Sequence, residues 1–106
     1  MHNFITEEQI KEIAKKIIEA YDPQKIILFG SYVSGKPTED SDIDLLIIKD
    51  TTDSPRERRK KILRILWRSG VPKDVFVYTE KEFAEYKDIA GTIMYAADKF
   101  GRVLYG

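Results

Sequence analysis

The chain has no cysteine. Disulfide frameworks, thiolate zinc sites and cysteine nucleophiles are excluded together, as suits a reducing compartment. Net charge is also missing, because 18 basic and 18 acidic side chains cancel. No overall field therefore draws the chain toward nucleic acid or an anionic membrane, and any phosphate it handles must be met by a local site. No apolar run approaches the ~20 residues that span a bilayer. Met1-His2-Asn3-Phe4 lacks the charged and apolar regions of a signal peptide. A cytoplasmic location is expected, with no membrane partner. His2, the only histidine, carries no inference.

What is present suffices for one core. The 106 residues, 42% hydrophobic and 11% aromatic, match one compact domain, residues 1–106, with no repeat, low-complexity tract or linker. Thr6 with Gln9 forms a capping box and Ile5 can staple onto Ile10. Ile10, Ile13, Ala14, Ile17, Ile18 and Tyr21 then keep helical spacing until Asp22-Pro23. Lys25 to Phe29 reads as a buried strand ending at Gly30. Gly30 to Ser41 reads as a loop with room for one helical turn, and Asp42 to Ile48 as a second strand.

Ser54-Pro55 with Glu57 predicts a second capped helix, running through Ile62, Leu66 and Trp67 to Gly70. Asp74 to Tyr78 is a third strand. Thr79 with Glu82 opens a further helix, another spans about Ile89 to Phe100, and Arg102 to Tyr105 is a terminal strand. Trp67 and Phe83 are expected in the core, Tyr86 and Tyr95 in the core or an interface. The alternation argues for an α+β layer structure, a small mixed sheet packed against helices and carrying its site on one edge.

The segment that carries chemistry is Gly30-Ser31-Tyr32-Val33-Ser34-Gly35, followed by Ser41-Asp42-Ile43-Asp44-Leu45-Leu46. Glycine and serine after a buried strand let backbone N–H groups turn outward into an anion-binding concavity, with a hydroxyl as further donor. Asp42 and Asp44 stand two apart at a strand start, so both carboxylates leave the same face while Ile43 enters the other layer. Carboxylates held side by side raise one another's pKa unless a cation lies between them. Oxygen-only ligands of this kind suit magnesium, bound by one or two carboxylates plus substrate phosphates. Either piece alone is an ordinary turn or strand entry. In this order, between apolar strands, they form a coherent nucleotide site.

This pattern resembles the nucleotidyltransferase superfamily that includes DNA polymerase β, and the whole chain is similar to its minimal nucleotidyltransferase (MNT) domains. The resemblance implies a nucleotidyltransferase fold and a third carboxylate, Asp74, as metal ligand and candidate base. It implies attack of an acceptor hydroxyl on the α-phosphate of ATP, with pyrophosphate leaving. Two magnesium ions would lower the acceptor's pKa and neutralise the leaving group, bridged by Asp42 and Asp44, with Asp74 on the ion nearest the acceptor. Gly30 and Ser31 would bind the β- and γ-phosphates.

Many relatives carry an arginine inside the turn. Here those positions are Tyr32, Val33 and Ser34, so the cationic contact is absent or comes from Lys36 or the basic helix. No acceptor domain is expected within these 106 residues. MNT domains are paired with HEPN toxins, on which some transfer AMP to a tyrosine, so a HEPN partner in a hetero-oligomer and an antitoxin role are implied. The alternatives are an antitoxin acting by contact alone, or an oligomer modifying a small molecule such as an aminoglycoside. Arg56, Arg58, Arg59, Lys60, Lys61, Arg64 and Arg68 make a basic helix. It reads as a solvated face, the alternative being a surface for an acidic partner or RNA. Without interleaved exposed aromatics a single-strand stacking platform is not expected, nor is direct nucleic-acid binding.

Overall fold

The computed structural model describes residues 4–106; the segment Met1-His2-Asn3, weighed above as a leader, lies outside them. The elements run α1 (Glu7–Tyr21), β1 (Lys25–Phe29), α2 (Ser31–Ser34), β2 (Ile43–Ile48), α3 (Pro55–Ile65), β3 (Lys73–Tyr78), α4 (Glu80–Tyr86), α5 (Ile93–Phe100) and β4 (Arg102–Tyr105). The four strands form one mixed sheet in the order β3-β2-β1-β4. β1 is antiparallel to β2 and β4, while β2 and β3 are parallel and joined through α3. This is the expected α+β arrangement. Among the described residues no helix is long and apolar enough to cross a membrane.

Strand alternation splits the core into two layers. Ile26, Leu28, Ile43, Leu45, Ile47, Val75 and Val77 face α1 and α3, meeting Ile10, Ile13, Ile17, Ile62 and Leu66. Ile27, Phe29, Leu46 and Ile48 face the other way, against Met94 and Ala97 of α5, with Phe83 of α4 alongside. The two inner strands are closed on both faces, which is why β1 and β2 are continuous apolar runs.

The helix starts obey local chemistry. At Thr6 and Thr79 both halves of the capping box form, with Gln9 and Glu82 as partners. At Ser54 only half forms: its hydroxyl accepts from the Glu57 N–H, while the Glu57 carboxylate turns to Lys60 at 3.8 Å. Three expectations are corrected. α3 ends at Ile65, with Arg68 in the left-handed region (φ 63°) before Gly70. Trp67, expected in the core, is 73% exposed: it lies in the turn that closes α3, its N–H on the Arg64 carbonyl, and its phase carries it away from Ile62 and Leu66. The last helix starts at Ile93, after Gly91 (φ 93°) and the Thr92 cap, rather than near Ile89. Phe83 does pack against the second core layer, and Tyr86 is exposed.

Among the described residues one charged side chain, Arg58, is buried. Arg58 donates to the Asp53 carbonyl at 2.9 Å, to the Val77 carbonyl at 3.4 Å and to Glu82 Oε1 at 2.8 Å. It thereby fastens α3 to β3 and α4. Burial raises the Glu82 carboxyl, but the Thr79 N–H and Arg58 outweigh it and hold its pKa below the ordinary value. Arg58→Ala should cost about 2–3 kcal/mol, since it strands buried carbonyls and Glu82 together. Urea denaturation checks this; a loss as small as that of a surface lysine would show the contacts contribute nothing.

Candidate active site

The turn and all three aspartates gather at one end of the sheet. β1 delivers Gly30 at its C-terminal end, and β2 and β3 deliver their first residues beside it. Phe29 pairs with Asp44, and Asp44 pairs in register with Asp74 across the parallel ladder. Asp44 and Asp74 therefore leave the same face of neighbouring strands, on the α5 side. Asp42 precedes β2 by one residue rather than lying within it. The site thus lies across the ends of three strands, two of them interior, and not on an edge as the sequence suggested.

Gly30 has φ 83°, and a β-carbon there would collide with the Asp44 carboxylate oxygen Oδ2. Only glycine both adopts this backbone and lets the carboxylate lie against it. Past Gly30 the polypeptide makes one helical turn, with the Val33 and Ser34 N–H groups donating to the Gly30 carbonyl at 3.0 Å each. The N–H groups at the start of such a turn have no partner within it, which leaves those of Ser31 and Tyr32 for an anion. The Tyr32 hydroxyl accepts the Ile5 N–H at 2.9 Å and so ties the turn to the start of α1.

The carboxylates have no cationic partner among the described residues. Lys73, next to Asp74, turns away and donates to Ser69 Oγ and the Val71 carbonyl, both at 2.9 Å. Burial first, then Asp74, then Asp42, push the Asp44 carboxyl up to about 6 from its ordinary 3.8. Acceptor-only oxygens crowded without a counter-charge are the donor set of a hard divalent cation. Among the described residues no trio of acidic or histidine side chains is already placed to hold an ion. A divalent cation between the carboxylates would offset their mutual repulsion.

The basic helix cannot supply the phosphate contact missing from the turn. α3 packs on the face of the sheet opposite Asp44, through Ile62 and Leu66. Lys36, whose N–H closes onto the Ser31 carbonyl at 3.2 Å, is the lysine carried by the turn's own loop. What the sequence did not reveal is a cleft of about 520 Å³ beside Gly30, lined by Phe29, Val33, Ser34, Ala96 and Phe100. No local signal marked it, because α5 meets the turn only through the fold. A groove of about 370 Å³ between α1 and β4 is lined by none of the site residues.

A glycine turn beside paired carboxylates at the strand ends of a mixed sheet defines a nucleotidyltransferase-type domain. The chain belongs to the nucleotidyltransferase domain family, whose profile matches residues 8–98. A crystal structure of a putative nucleotidyltransferase from Sulfolobus solfataricus shares the fold, with a TM-score of 0.60 at 24% identity over 76% of this chain and 73% of that one. Relatives in Methanocaldococcus jannaschii are named putative protein adenylyltransferases. One is 50% identical over 46 residues, covering 42% of this chain and 46% of that protein. Another is 35% identical over 72 residues, covering 66% of this chain and 72% of that protein. The match spans about half the length of two such relatives, 46% and 54%.

A raised pKa in the fold means that the folded form holds the Asp44 proton more tightly than the unfolded chain does. The corresponding stability is present below 3.8 and is lost as pH rises through about 6. Asp44→Asn keeps the shape without the charge. In metal-free buffer the variant should melt above the wild type at pH 8, and the difference should close by about pH 4. Saturating magnesium should narrow it at pH 8. Equal melting temperatures at all pH values would show that Asp44 is not crowded.

Proposed function

We propose that the chain transfers AMP from magnesium-bound ATP to a hydroxyl of a partner protein. The observation that carries this reading is the in-register pair Asp44 and Asp74, beside the Gly30 turn and with Asp42 on their flank. The relatives' names support the adenylyl donor and a protein acceptor. Asp42, Asp44 and Asp74 would hold magnesium, which when bound lowers the acceptor's pKa and offsets charge on the phosphates. The N–H groups of Ser31 and Tyr32, with the Ser31 hydroxyl, hold the β- and γ-phosphates.

The acceptor oxygen attacks the α-phosphorus. The bond to the bridging oxygen breaks, pyrophosphate leaves with that electron pair, and the acceptor proton passes to the Asp74 carboxylate, the most exposed of the three. The apolar cleft walled by Phe29 and Phe100 has the volume of a ring-sized pocket, open beside the turn for a nucleobase or an aromatic acceptor. A tyrosine of a HEPN toxin fits that description, and its modification would make the chain an antitoxin. The turn Tyr32-Val33-Ser34, tied to Ile5 through the Tyr32 hydroxyl and lacking the arginine that many relatives carry there, favours a second reading in which the partner is neutralised by contact alone.

Incubation with labelled ATP, magnesium and the HEPN partner decides between them. Label should appear on the partner with the intact chain and fall at least 100-fold with Asp42→Ala plus Asp44→Ala, as for loss of a main electrostatic group. Neutralisation that survives the double substitution, with no label transferred by either form, would sink the enzymatic reading.

A further inference from the structure

The basic helix plays no part in the site, yet its surface is organised. Three of its seven cations are engaged: Arg58 with Glu82, Lys61 with Asp53 and Lys60 with Glu57. Among the described residues Arg56, Arg59, Arg64 and Arg68 have no ion-pair partner and are exposed. Arg56, Lys60 and Arg64 recur every four residues on α3, and Trp67 follows three later in the turn that closes the helix, so they continue one stripe opposite its buried side. The tryptophan ends this stripe 73% exposed, with the Arg68 guanidinium 5.9 Å from its ring centroid.

Two features argue that this patch is more than a solvated face. A large aromatic left in water beside arginines is the pairing that nucleobases and phosphates use together. Arg68 holds a left-handed backbone (φ 63°) that glycine would adopt without strain, and strained residues of this kind cluster where a surface is used.

We propose that the face formed by α3 and its closing turn, from Arg56 to Arg68, binds single-stranded nucleic acid, with Trp67 stacking on a base and Arg56, Arg64 and Arg68 meeting phosphates. Charge complementarity commits the face to a polyanion, and the free indole to one with unpaired bases. A duplex hides its base faces, whereas a single strand offers an unpaired ring beside each phosphate. The face lies across the sheet from Asp44, so it acts independently of the nucleotide site.

Trp67 is the only tryptophan, so its fluorescence reports this surface alone. Titration with an oligouridylate of about 12 nucleotides, a length within the usual site sizes, should quench it at low salt. The logarithm of the binding constant should fall against the logarithm of salt with a slope of about −2, as for three phosphates. Arg64→Gln plus Arg68→Gln should weaken binding at least tenfold. Asp44→Asn should bind as the wild type does, and Arg68→Gly should bind more weakly without lowering the melting temperature. Absence of quenching at low salt would overturn the proposal. So would equal quenching by poly-glutamate, which assigns the face to an acidic protein, or binding undiminished by loss of the two arginines.

Discussion

The structure turns on a like-charge constraint. Parallel pairing of β2 with β3 sets Asp44 directly opposite Asp74, and Asp42 stands two residues before Asp44. Left to solvent the three would separate, and the apolar runs behind them prevent it. Leu45, Leu46, Ile47 and Ile48 are almost wholly buried, as are Val75 and Val77 on the neighbouring strand, so the register cannot slip to relieve the repulsion. Gly30 tightens the constraint by laying backbone against the Asp44 carboxylate. Hydrophobic burial thus holds together charges whose repulsion is offset by a divalent cation or, toward acid pH, by protonation of Asp44.

Much of this was legible in the sequence because it is local. The spacing of Ile10, Ile13, Ala14 and Ile17 specifies α1, and the capping boxes at Thr6 and Thr79 form as their residues dictate. The two-residue step from Asp42 to Asp44 fixes a shared face without knowledge of the neighbours. Asp74 was different. An aspartate before a strand is commonly a turn residue, and its place beside Asp44 depends on a pairing between strands joined through α3. The site's position across interior strand ends, rather than on an edge, depends on the same long-range pairing.

Trp67 shows where composition misleads. It was expected in the core, but its helical phase sets it with Arg56, Lys60 and Arg64, away from Arg58, Ile62 and Leu66. The phase was in the sequence and outweighed the hydrophobicity of the residue. The last helix is a case of punctuation: Gly91, with its positive φ, and the Thr92 cap interrupt a stretch whose apolar spacing reads as continuous from Ile89. The cleft beside Gly30 had no local signal at all, since Phe29 and Phe100 meet only because α5 crosses the second face of the sheet.

The sheet therefore separates two kinds of surface. On one face the strand ends carry carboxylates, a turn with outward N–H groups and an apolar cleft; on the other, α1 and α3 close the larger core layer and turn charge outward. The central claim is that the Asp42–Asp44–Asp74 cluster binds a nucleotide through a divalent cation. Its most direct test is the ligand-induced change in melting temperature with a non-hydrolysable ATP analogue at neutral pH. The account predicts a rise that needs magnesium and analogue together and disappears in Asp44→Asn. A rise of the same size without magnesium, or undiminished in Asp44→Asn, would contradict it.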